Sequence, residues 1–440
     1  MRGLFNLAAA SVVAFVTRSV AVPIVVKPGS VNDVVITSLN TINGTGTVPA
    51  PAGTNANSLQ VEIVNNYGND QMYLYIDGKD SNNVPCLLGS DGTYYYPDAG
   101  GSTTPVQIDT SSIATPLGAQ GSSTTVTLPD TLQSARIWVS QGELTFYTVD
   151  DGSGGSAVVE PSVTNPSDPS ANVPWGFVEF NWSNGSMFAN ISYVDWVGIV
   201  MGMSLTLSDG SVQTVKGLQA GAIDSICNDL KTQGASDGQA WGSMCVNDAS
   251  GNVLRVLSSN LYTSVNPDAF SDYYTDYINQ VWSQYTSEPL MVNTQMNGGN
   301  STIACQVSGD TMTCAGDETG YQMPTITDIW GCNSGPFANI AGASATHQAV
   351  VARLCAAFDR STLLLNGGNV QPSLPSSSYY TTSPTNHYAR IVHNYEADGV
   401  GYAFAYDDVN PAGQNAAGTV SDNGIGSTLL RVTAGGWSDA

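Results

Sequence analysis

Two carboxylic acids stand sixteen positions apart in apolar, aromatic surroundings: Glu179 within residues 175–182 and Asp195 within residues 192–198. A carboxyl group in an apolar setting can stay protonated near neutral pH, while a second, ionised carboxylate can accept a proton. The aromatic side chains around them offer flat faces on which pyranose rings stack. These residues therefore suit acid–base cleavage of a glycosidic bond.

The runs that carry the two acids are rich in aromatic and β-branched residues, which is typical of strands. An Asn-Gly pair at 184–185 indicates a tight turn between them. A tight hairpin would pair Glu179 with roughly Asn190 and leave Asp195 about 16 Å further along. Because an inverting acid pair needs about 6.5–9.5 Å, we predict a longer loop, or a bend between Ser192 and Asp195. The alternative is an edge hairpin whose acids merely face water.

The histidines offer weaker chemistry. His347 is predicted at a helix start, with no catalytic role. His387 and His393 are six positions apart on a predicted strand, and no third ligand stands near them, so we expect no zinc site. The sequence has no phosphate-binding loop and no nucleophile elbow. We therefore predict an enzyme that needs neither a metal nor a cofactor.

Composition narrows the class of partner. The 440 residues carry a formal net charge of −24, although only 11% of them are charged, against about 25% in an average protein. Such a surface repels phosphate backbones, which argues against nucleic acid as a partner. A neutral polymer meets no such repulsion. The length predicts two domains.

The first residues resemble an export signal. Arg2 precedes an apolar run at 4–16, and residues 19–21 form a small-x-small cleavage site. The run is too short to span a membrane. We therefore predict a signal peptide over residues 1–21 and a secreted, extracellular, monomeric protein with no membrane segment.

Seven cysteines in an exported chain permit disulfides. The parsimonious local pairs are Cys227 with Cys245, Cys305 with Cys314, and Cys332 with Cys355, although sequence does not determine connectivity. Cys86 is then left as a buried thiol. Five sequons begin at Asn43, Asn181, Asn184, Asn190 and Asn300. We expect Asn181 to be unmodified, because it shares a strand face with Glu179.

Short runs with strand composition, separated by turn residues, follow an irregular stretch at 22–54. They fall at 61–64, 72–76, 94–96, 124–128, 135–139 and 144–149. Many short strands with frequent turns are typical of a sandwich or barrel.

From about residue 205 the apolar period becomes helical, around 223–230, 270–285 and 344–358. Strand composition returns at 388–392, 402–406 and 429–432. We therefore predict a mixed α/β domain at 205–383, inserted into a β domain formed by 22–204 and 384–440.

Four stretches carry a family resemblance in combination: 177–180 with 193–198, 328–337, 386–390 and 401–408. Together they resemble glycoside hydrolase family 64, the endo-β-1,3-glucanases, over residues 55–435. The last stretch, with Tyr-Ala-Phe-Ala-Tyr-Asp-Asp at 402–408, also resembles the thaumatin-like proteins, whose β fold that family shares.

The resemblance implies a mainly β fold with an α/β part: a thaumatin-like β-sandwich or barrel domain and an inserted mixed domain, with a wide acidic groove between them. It implies an inverting mechanism on β-1,3-glucan, in which Glu179 is the general acid and Asp195 the general base. It places polar groove positions at Asn181, Ser183 and Ser192.

Two further groove positions depend on the same resemblance. An aromatic position, often Trp in the family, is Phe188 here. One member of the Asp407–Asp408 pair is expected to line the groove and raise the pKa of the acid pair; the alternative is a solvated strand end.

The leading hypothesis is thus a secreted, inverting endo-β-1,3-glucanase whose partner is β-1,3-glucan. The runner-up is a non-catalytic thaumatin-like binder of β-glucan, against which the inserted domain argues. A structural wall protein would carry repeats or low-complexity tracts, and the sequence has none.

Overall fold

A computed structural model describes residues 22–48, 58–183, 186–296, 301–414, 417–422 and 424–438. The predicted export signal, the turn residues 184–185 and the sequon residue Asn300 lie outside these ranges. The described chain is mainly β, with helices concentrated between residues 222 and 394.

The strands of the first half, β1 to β15 in chain order, are Ile24–Val25, Thr41–Ile42, Leu59–Asn65, Met72–Lys79, Pro85–Leu88, Tyr94–Tyr95, Val106–Gln107, Thr115–Pro116, Ser123–Leu128, Leu132–Gln141, Tyr147–Asp150, Ser156–Val159, Trp175–Ser183, Ser186–Asn190 and Trp196–Val197. Those of the second half, β16 to β26, are Met201–Leu207, Val212–Val215, Cys245–Asn247, Val253–Leu257, Leu290–Asn293, Thr302–Ser308, Thr311–Cys314, Gly320–Tyr321, Val370–Gln371, Thr419–Asp422 and Ser427–Ala434.

The helices, α1 to α7, are Thr110–Ile113, Ala222–Asp237, Ser259–Val265, Thr275–Ser287, Ile326–Gly331, Ala345–Asp359 and His387–Asn394. The predicted helices near 223–230, 270–285 and 344–358 correspond to α2, α4 and α6. Within the described ranges, none of these helices is long and apolar enough to cross a membrane.

The sheet that carries Glu179 has the order β25-β14-β13-β10-β4-β5-β6, with β8 also paired to β4. Its strands are antiparallel. On β13 the even-numbered residues, such as Val178, Phe180 and Trp182, are buried, while Glu179 and Asn181 on the opposite face reach solvent. This alternation is the period-two pattern of a strand with one face in the core.

A second sheet has the order β17-β16-β26-β3-β9. In it, β26 pairs in parallel with β3 and antiparallel with β16. The predicted strand at 429–432 is therefore confirmed. The inward side chains of both sheets belong to one contiguous apolar core that also includes the buried faces of α2, α4 and α6. None of the sheets traced through the described residues closes into a barrel.

The three predicted disulfides are confirmed: Cys227–Cys245, Cys305–Cys314 and Cys332–Cys355. Cys305–Cys314 links the neighbouring strands β21 and β22. Cys86 is a free, buried thiol, also as predicted, and burial raises its pKa well above the usual range.

Two predicted strands are wrong. Residues 388–392 lie in helix α7, because Asn386 caps its N-terminus by accepting a hydrogen bond from the Ala389 amide. Tyr388, Ile391 and Val392 then fall on one buried helical face. Residues 402–406 form a bridge and turns rather than a strand.

The domain boundaries at 204/205 and 383/384 stay predictions. Strands β16 and β17, which reach Val215, pair with each other and join the sheet of β3 through β26. Helix α7, which follows the second boundary, is tied to α2 by a hydrogen bond from Arg390 to Gln233.

Candidate active site

A row of polar side chains crosses the open face of the Glu179 sheet. Glu179 on β13 lies opposite Asn190 on β14 and Arg136 on β10, and Arg136 lies opposite Asp77 on β4. Residues directly opposite each other in antiparallel strands share a face and stand about 4.5–5.5 Å apart. The register therefore places one cation between two carboxylic acids.

Arg136 is held by two carboxylates. Its Nη1 is 2.6 Å from Oε2 of Glu160, and its Nη2 is 3.4 Å from Oε1 of Glu179. Its guanidinium also lies 4.8 Å from the ring centre of Phe177, within range of a cation–π contact. Burial lowers the pKa of Arg136, but Glu160, Glu179, Asp77 and Asp195 outweigh it and raise the pKa. Arg136 is therefore a fixed positive charge.

Behind Arg136 lie two buried carboxyl groups, Asp77 and Glu160, which interact electrostatically. Asp77 Oδ2 accepts a hydrogen bond from Trp138 Nε1 at 3.0 Å, while Asp77 Oδ1 and Glu160 Oε1 are buried and have no hydrogen-bond partner among the described residues. Burial and the charge of Glu160 raise the pKa of Asp77 well above its usual range. The raised pKa favours the neutral form of Asp77, while Glu160 pairs with Arg136 at 2.6 Å.

Asp195 reaches the site through a bend. The tight hairpin register pairs Glu179 with Asn190, so the longer loop that we considered does not form. Instead the chain leaves the sheet after Asn190, Ser192 forms an isolated bridge to Tyr402, and the chain bends at 194–195.

This bend is fixed by hydrogen bonds from separate parts of the fold. The Tyr193 amide donates to the Tyr402 carbonyl at 2.7 Å, and the Ser258 amide donates to the Asp195 carbonyl at 2.8 Å. Tyr388 Oη donates to the Tyr193 carbonyl at 2.6 Å. Helix α7 and the start of α3 therefore hold the backbone that carries Asp195.

Two glycine-dependent close approaches bring that backbone alongside β13. The Ile199 amide donates to the Trp175 carbonyl at 3.0 Å. A Cβ on Gly198 would lie 2.0 Å from the Trp175 carbonyl oxygen, and one on Gly176 would lie 2.3 Å from the Ile199 carbonyl oxygen. Only glycine fits at either position. The chain beside Asp195 therefore runs next to the beginning of the Glu179 strand.

Aromatic packing completes the link. Trp196, which follows Asp195, packs on Phe177 with ring centres 4.7 Å apart. Phe177 precedes Glu179 by two residues and so shares its strand face. The same ring contacts the Arg136 guanidinium, so Phe177 joins the segments of both acids and the cation between them.

The electrostatics of Asp195 reflect these neighbours. Burial raises its pKa, the Arg136 charge lowers it, and the Glu179 charge raises it, with a net rise above the usual range. Both acids therefore interact electrostatically with Arg136 and with each other.

A cavity of about 330 Å³ opens over Glu179. Its floor is the sheet face with Arg136, Asn181, Phe188 and Asn190. A second recess, lined by Asp195 and Trp196, adjoins it, since Arg136 and Glu160 line both. The Glu179 side chain is 35% exposed, so it is accessible from the cavity.

The structure brings some of the predicted binding residues into this cavity. Asn181 and Phe188 line it, and Asn181 Oδ1 accepts from the Ser134 amide at 2.7 Å. Ser183 lies at the hairpin end, 2.9 Å from Ser186 Oγ, and Ser192 lies at the bend before Asp195. Neither serine lines the cavity.

Asp407 does not line the cavity, so within the Asp407–Asp408 pair the predicted groove contact rests on Asp408. Its side chain is 1% exposed, and Oδ1 pairs with Arg360 Nη2 at 2.8 Å while Oδ2 pairs with His393 Nε2 at 3.0 Å. Burial raises its pKa, but His393 and Arg360 lower it further, with a net decrease. Asp408 is exposed, and burial together with the charge of Asp408 raises the pKa of Tyr402.

The histidines have structural partners. His347 contacts Tyr321 and Asp317, and Arg390 Nε donates to His387 Nδ1.

In the described chain, the group of side chains with metal-ligand spacing is Cys332, Cys355 and Asp359. The disulfide between the two cysteines occupies both sulfur atoms, so this group offers no thiolate.

Sequence reasoning missed Arg136, Glu160, Asp77 and Asn190. A signal existed for Arg136, because it is a cation inside the apolar strand run at 135–139, and a buried charge needs a partner. Glu160 stands in a loop after β12, and nothing in its neighbourhood distinguishes it.

The family model described as β-1,3-glucanase matches residues 57–432. Two curated relatives, from Cellulosimicrobium cellulans and from Arthrobacter sp. (strain YCWD3), are each a "glucan endo-1,3-beta-glucosidase", 28% identical over 370 residues. The match covers 82% of this chain and 63% of each relative, so the chain spans less than two thirds of their length.

Solved structures share the fold. The crystal structure of a laminaripentaose-producing β-1,3-glucanase in complex with laminaritetraose is 27% identical, with a TM-score of 0.74 over 86% of this chain and 98% of that chain. A β-1,3-glucanase domain from Clostridium beijerinckii is 18% identical, with a TM-score of 0.66 over 87% of this chain and 100% of that chain.

Proposed function

Since the chain belongs to the β-1,3-glucanase family, glycoside hydrolase family 64, we propose that it is an endo-β-1,3-glucanase that hydrolyses β-1,3-glucan with inversion at the anomeric carbon. One observation carries the assignment of the acids. Glu179 faces an open cavity, Asp195 faces the adjoining recess, and Arg136 lines both.

In this mechanism Glu179 protonates the oxygen of the leaving sugar, and Asp195 removes a proton from the water that attacks the anomeric carbon. Asp195 is a suitable base because its raised pKa gives the carboxylate more affinity for that proton. Arg136 orients Glu179 through its 3.4 Å contact and limits the repulsion between the two carboxylates.

Substrate binding involves the polar and aromatic side chains of the cavity. Asn181 and Asn190 face the sugar hydroxyls, and Phe188, 41% exposed, packs against a ring. Asn190 Oδ1 is buried without a hydrogen-bond partner, so a sugar hydroxyl that donates to it would satisfy it. Asp408 and Ser192 remain outer contacts of the same groove, and Ser183 a contact at its hairpin end.

The proposal also covers the location, the oligomeric state and the domain organisation of the protein. It is secreted after loss of residues 1–21 and acts as a monomer. Its β part has the thaumatin-like fold, and residues 205–383 form the second wall of the groove.

The test is sugar release from laminarin or curdlan by the wild type, Glu179→Gln and Asp195→Asn. Each substitution keeps the shape of the side chain and removes its proton chemistry, so we expect a loss of roughly 10²–10⁴-fold in rate with binding retained. Asp209→Asn, in the exposed turn between β16 and β17, is the control and should keep full activity. The anomer released first, followed by NMR, reports inversion.

Two results would contradict the proposal. If either variant keeps wild-type rates, the acid assignment is wrong. If the wild type and both variants bind the polymers alike and none releases sugar, the protein is a β-glucan binder.

A further inference from the structure

The segment at residues 22–48, here called the N-terminal strap, precedes the part of the chain that the family model matches. It is nevertheless built into the fold. Its first strand, β1, pairs in parallel with β18, and the Lys27 and Gly29 amides donate to the carbonyls of Pro166 and Ser167. The beginning of the strap is therefore fixed to the sheet that also contains β15, the strand that follows Asp195.

The other end of the strap is fixed to the β part of the molecule. Strand β2 pairs with β12. Beyond it, the Thr45 amide donates to the Asn83 carbonyl at 3.2 Å, and Asn83 Nδ2 donates to Thr45 Oγ1 at 2.7 Å. A Cβ on Gly46 would lie 1.9 Å from the Asn82 carbonyl oxygen, so the strap approaches this loop closely.

Between these ends, Asn40 fixes the shape of the strap. This residue is 5% exposed. Its Oδ1 accepts from the amide and hydroxyl of Thr37, and its Nδ2 donates to the carbonyls of Val35 and Glu160. The Glu160 amide also donates to the Asn40 carbonyl at 2.8 Å. The strap is thus locked to the residue that holds Arg136.

The locked turn presents Leu39 to the site. Leu39 is 56% exposed, and it lines both the cavity of Glu179 and the recess of Asp195. Ser38, Thr41, Ile42 and Asn43 line the cavity beside it. An aliphatic side chain that faces solvent and lines both the cavity and the recess has apolar surface available for a ligand.

We propose that residues 37–43 of the strap form a wall of the glucan site, and that Leu39 is a specificity-determining residue that contacts the sugar unit next to the cleaved bond. This inference rests on the proposed function. A pyranose ring has apolar C–H faces, and sugar sites combine such contacts with a few polar groups. Leu39 and Phe188 are exposed apolar side chains of the same cavity, so both can pack on the substrate.

The consequence is a dependence of cleavage on chain length. A short oligosaccharide has few other contacts, so losing the Leu39 contact lowers its binding by a large fraction. A long polymer keeps its contacts along the groove. The Leu39 contact therefore favours one position of a short oligosaccharide relative to Glu179 and Asp195.

The experiment compares Leu39→Ala with Ile36→Ala. Ile36 is an aliphatic residue of the same strap, 43% exposed, and it lines neither the cavity nor the recess. Both changes remove exposed surface, so both variants should fold. We measure kcat and KM on β-1,3-gluco-oligosaccharides of defined length, and the lengths of the products from laminarin.

We expect Leu39→Ala to raise KM for short oligosaccharides by roughly 5- to 10-fold, since losing a few methylene-sized contacts in a site has effects of this order. The product lengths should shift, and Ile36→Ala should match the wild type. The inference is overturned if both variants match the wild type. It is also overturned if Leu39→Ala speeds all substrates equally, because the strap would then only obstruct the groove.

If the proposed glucanase function is wrong, the experiment gives a different result. In that case the wild type releases no sugar from any β-1,3-glucan. Calorimetric binding of a gluco-oligosaccharide to the wild type, Leu39→Ala and Ile36→Ala then tests the strap contact without catalysis. Weaker binding by Leu39→Ala alone supports the contact, and equal binding by all three rejects it.

Discussion

Arg136 interacts electrostatically with both acids, Glu179 and Asp195. It contacts Glu179 directly, and its charge lowers the pKa of Asp195 against the effect of burial. The pKa of Asp195 nevertheless lies above the ordinary value, about 3.9. If Asp195 is the base, activity should therefore fall on the acid side at a pH above about 4.

Arg136→Gln tests this electrostatic role. Removing the positive charge leaves burial and Glu179 unopposed, so the pKa of Asp195 should rise further. The acid limb of the pH profile of kcat/KM should move upward by roughly one unit. Arg136→Lys keeps the charge and should move the limb less. An acid limb that stays in place in Arg136→Gln would show that another group limits activity there.

Glu160 and Asp77 give a matched pair of stability predictions. Glu160→Gln removes a charge-assisted 2.6 Å bond and leaves Arg136 without its nearest carboxylate. We expect a loss of about 2–3 kcal/mol in unfolding free energy. Asp77→Asn replaces a carboxyl whose raised pKa favours the neutral form by a neutral amide of nearly the same shape, so its loss should stay within about 1 kcal/mol. Urea denaturation at pH 7 measures both losses, and equal losses would contradict a neutral Asp77 beside an ionised Glu160.

The raised pKa of Asp77 also sets a pH trend. The native state keeps a proton that the unfolded chain releases above about pH 4. This contribution to stability is full below that pH and declines as the pH rises towards the native pKa of Asp77. The wild type should therefore lose stability relative to Asp77→Asn between pH 4 and neutrality. Parallel curves for the two proteins would argue against a protonated Asp77.

At the scale of elements, the site depends on the close contact between strand β13 and the segment that follows Asp195. Gly198→Ala would place a Cβ 2.0 Å from the Trp175 carbonyl oxygen, so the segment must move. We expect a loss of about 1–3 kcal/mol and at least a tenfold fall in kcat. In Gly68→Ala the nearest atom would lie 3.9 Å away, so this control should behave as the wild type. Thermal melts and laminarin assays compare them, and an active Gly198→Ala would show that the approach is not needed.

Local sequence patterns predicted many of the secondary-structure elements. Strand composition bounded by turn residues located β3, β4 and β13, and helical spacing located α2, α4 and α6. Helix α7 was predicted as a strand because its β-branched and aromatic composition suits a strand, while its Asn386 cap and its i, i+3, i+4 apolar spacing point to a helix. Residue composition and helix capping gave opposite predictions for this segment, and the capping residue predicted the observed helix.

The site was predictable only in part, for a physical reason. Glu179 and Asp195 stand out by type and context, but their approach depends on contacts with Tyr402, Ser258 and Tyr388. These residues lie more than 60 positions away in the chain, and no local pattern encodes such a contact. No local pattern encodes the role of Glu160 either, because this loop residue pairs with Arg136 on β10, 24 positions earlier.

At the scale of the whole molecule, a buried ion network ties helix α7 to the loop that follows it and to the end of α6. His393 pairs with Glu396 at 2.9 Å and with Asp407 at 3.0 Å, and Asp407 pairs with Arg360. Burial lowers the pKa of His393, but Asp407 and Glu396 raise it to about 10. His393 is therefore a cation at neutral pH.

The network predicts a pH-dependent stability. The contribution of His393 is full below its unfolded pKa, about 6.5, and is lost as the pH rises through about 10. His393→Gln should lower the unfolding free energy at pH 7 by roughly 1–3 kcal/mol, and the difference from the wild type should shrink towards pH 10. Burial and Arg390 lower the pKa of His387 to about 4, so the effect of His387→Gln should be constant over this range. Chemical denaturation from pH 7 to 10 checks both, and a constant His393→Gln difference would exclude the network as its source.

The position of β26 has a consequence for the order in which the molecule is made. This strand lies between β3 and β16 in the middle of its sheet, yet it ends only at residue 434. A nascent chain on the ribosome cannot complete that sheet until this strand has emerged, although β3 was translated more than 360 residues earlier. We expect this sheet to assemble after translation of β26, with slow folding because its pairing spans almost the whole chain.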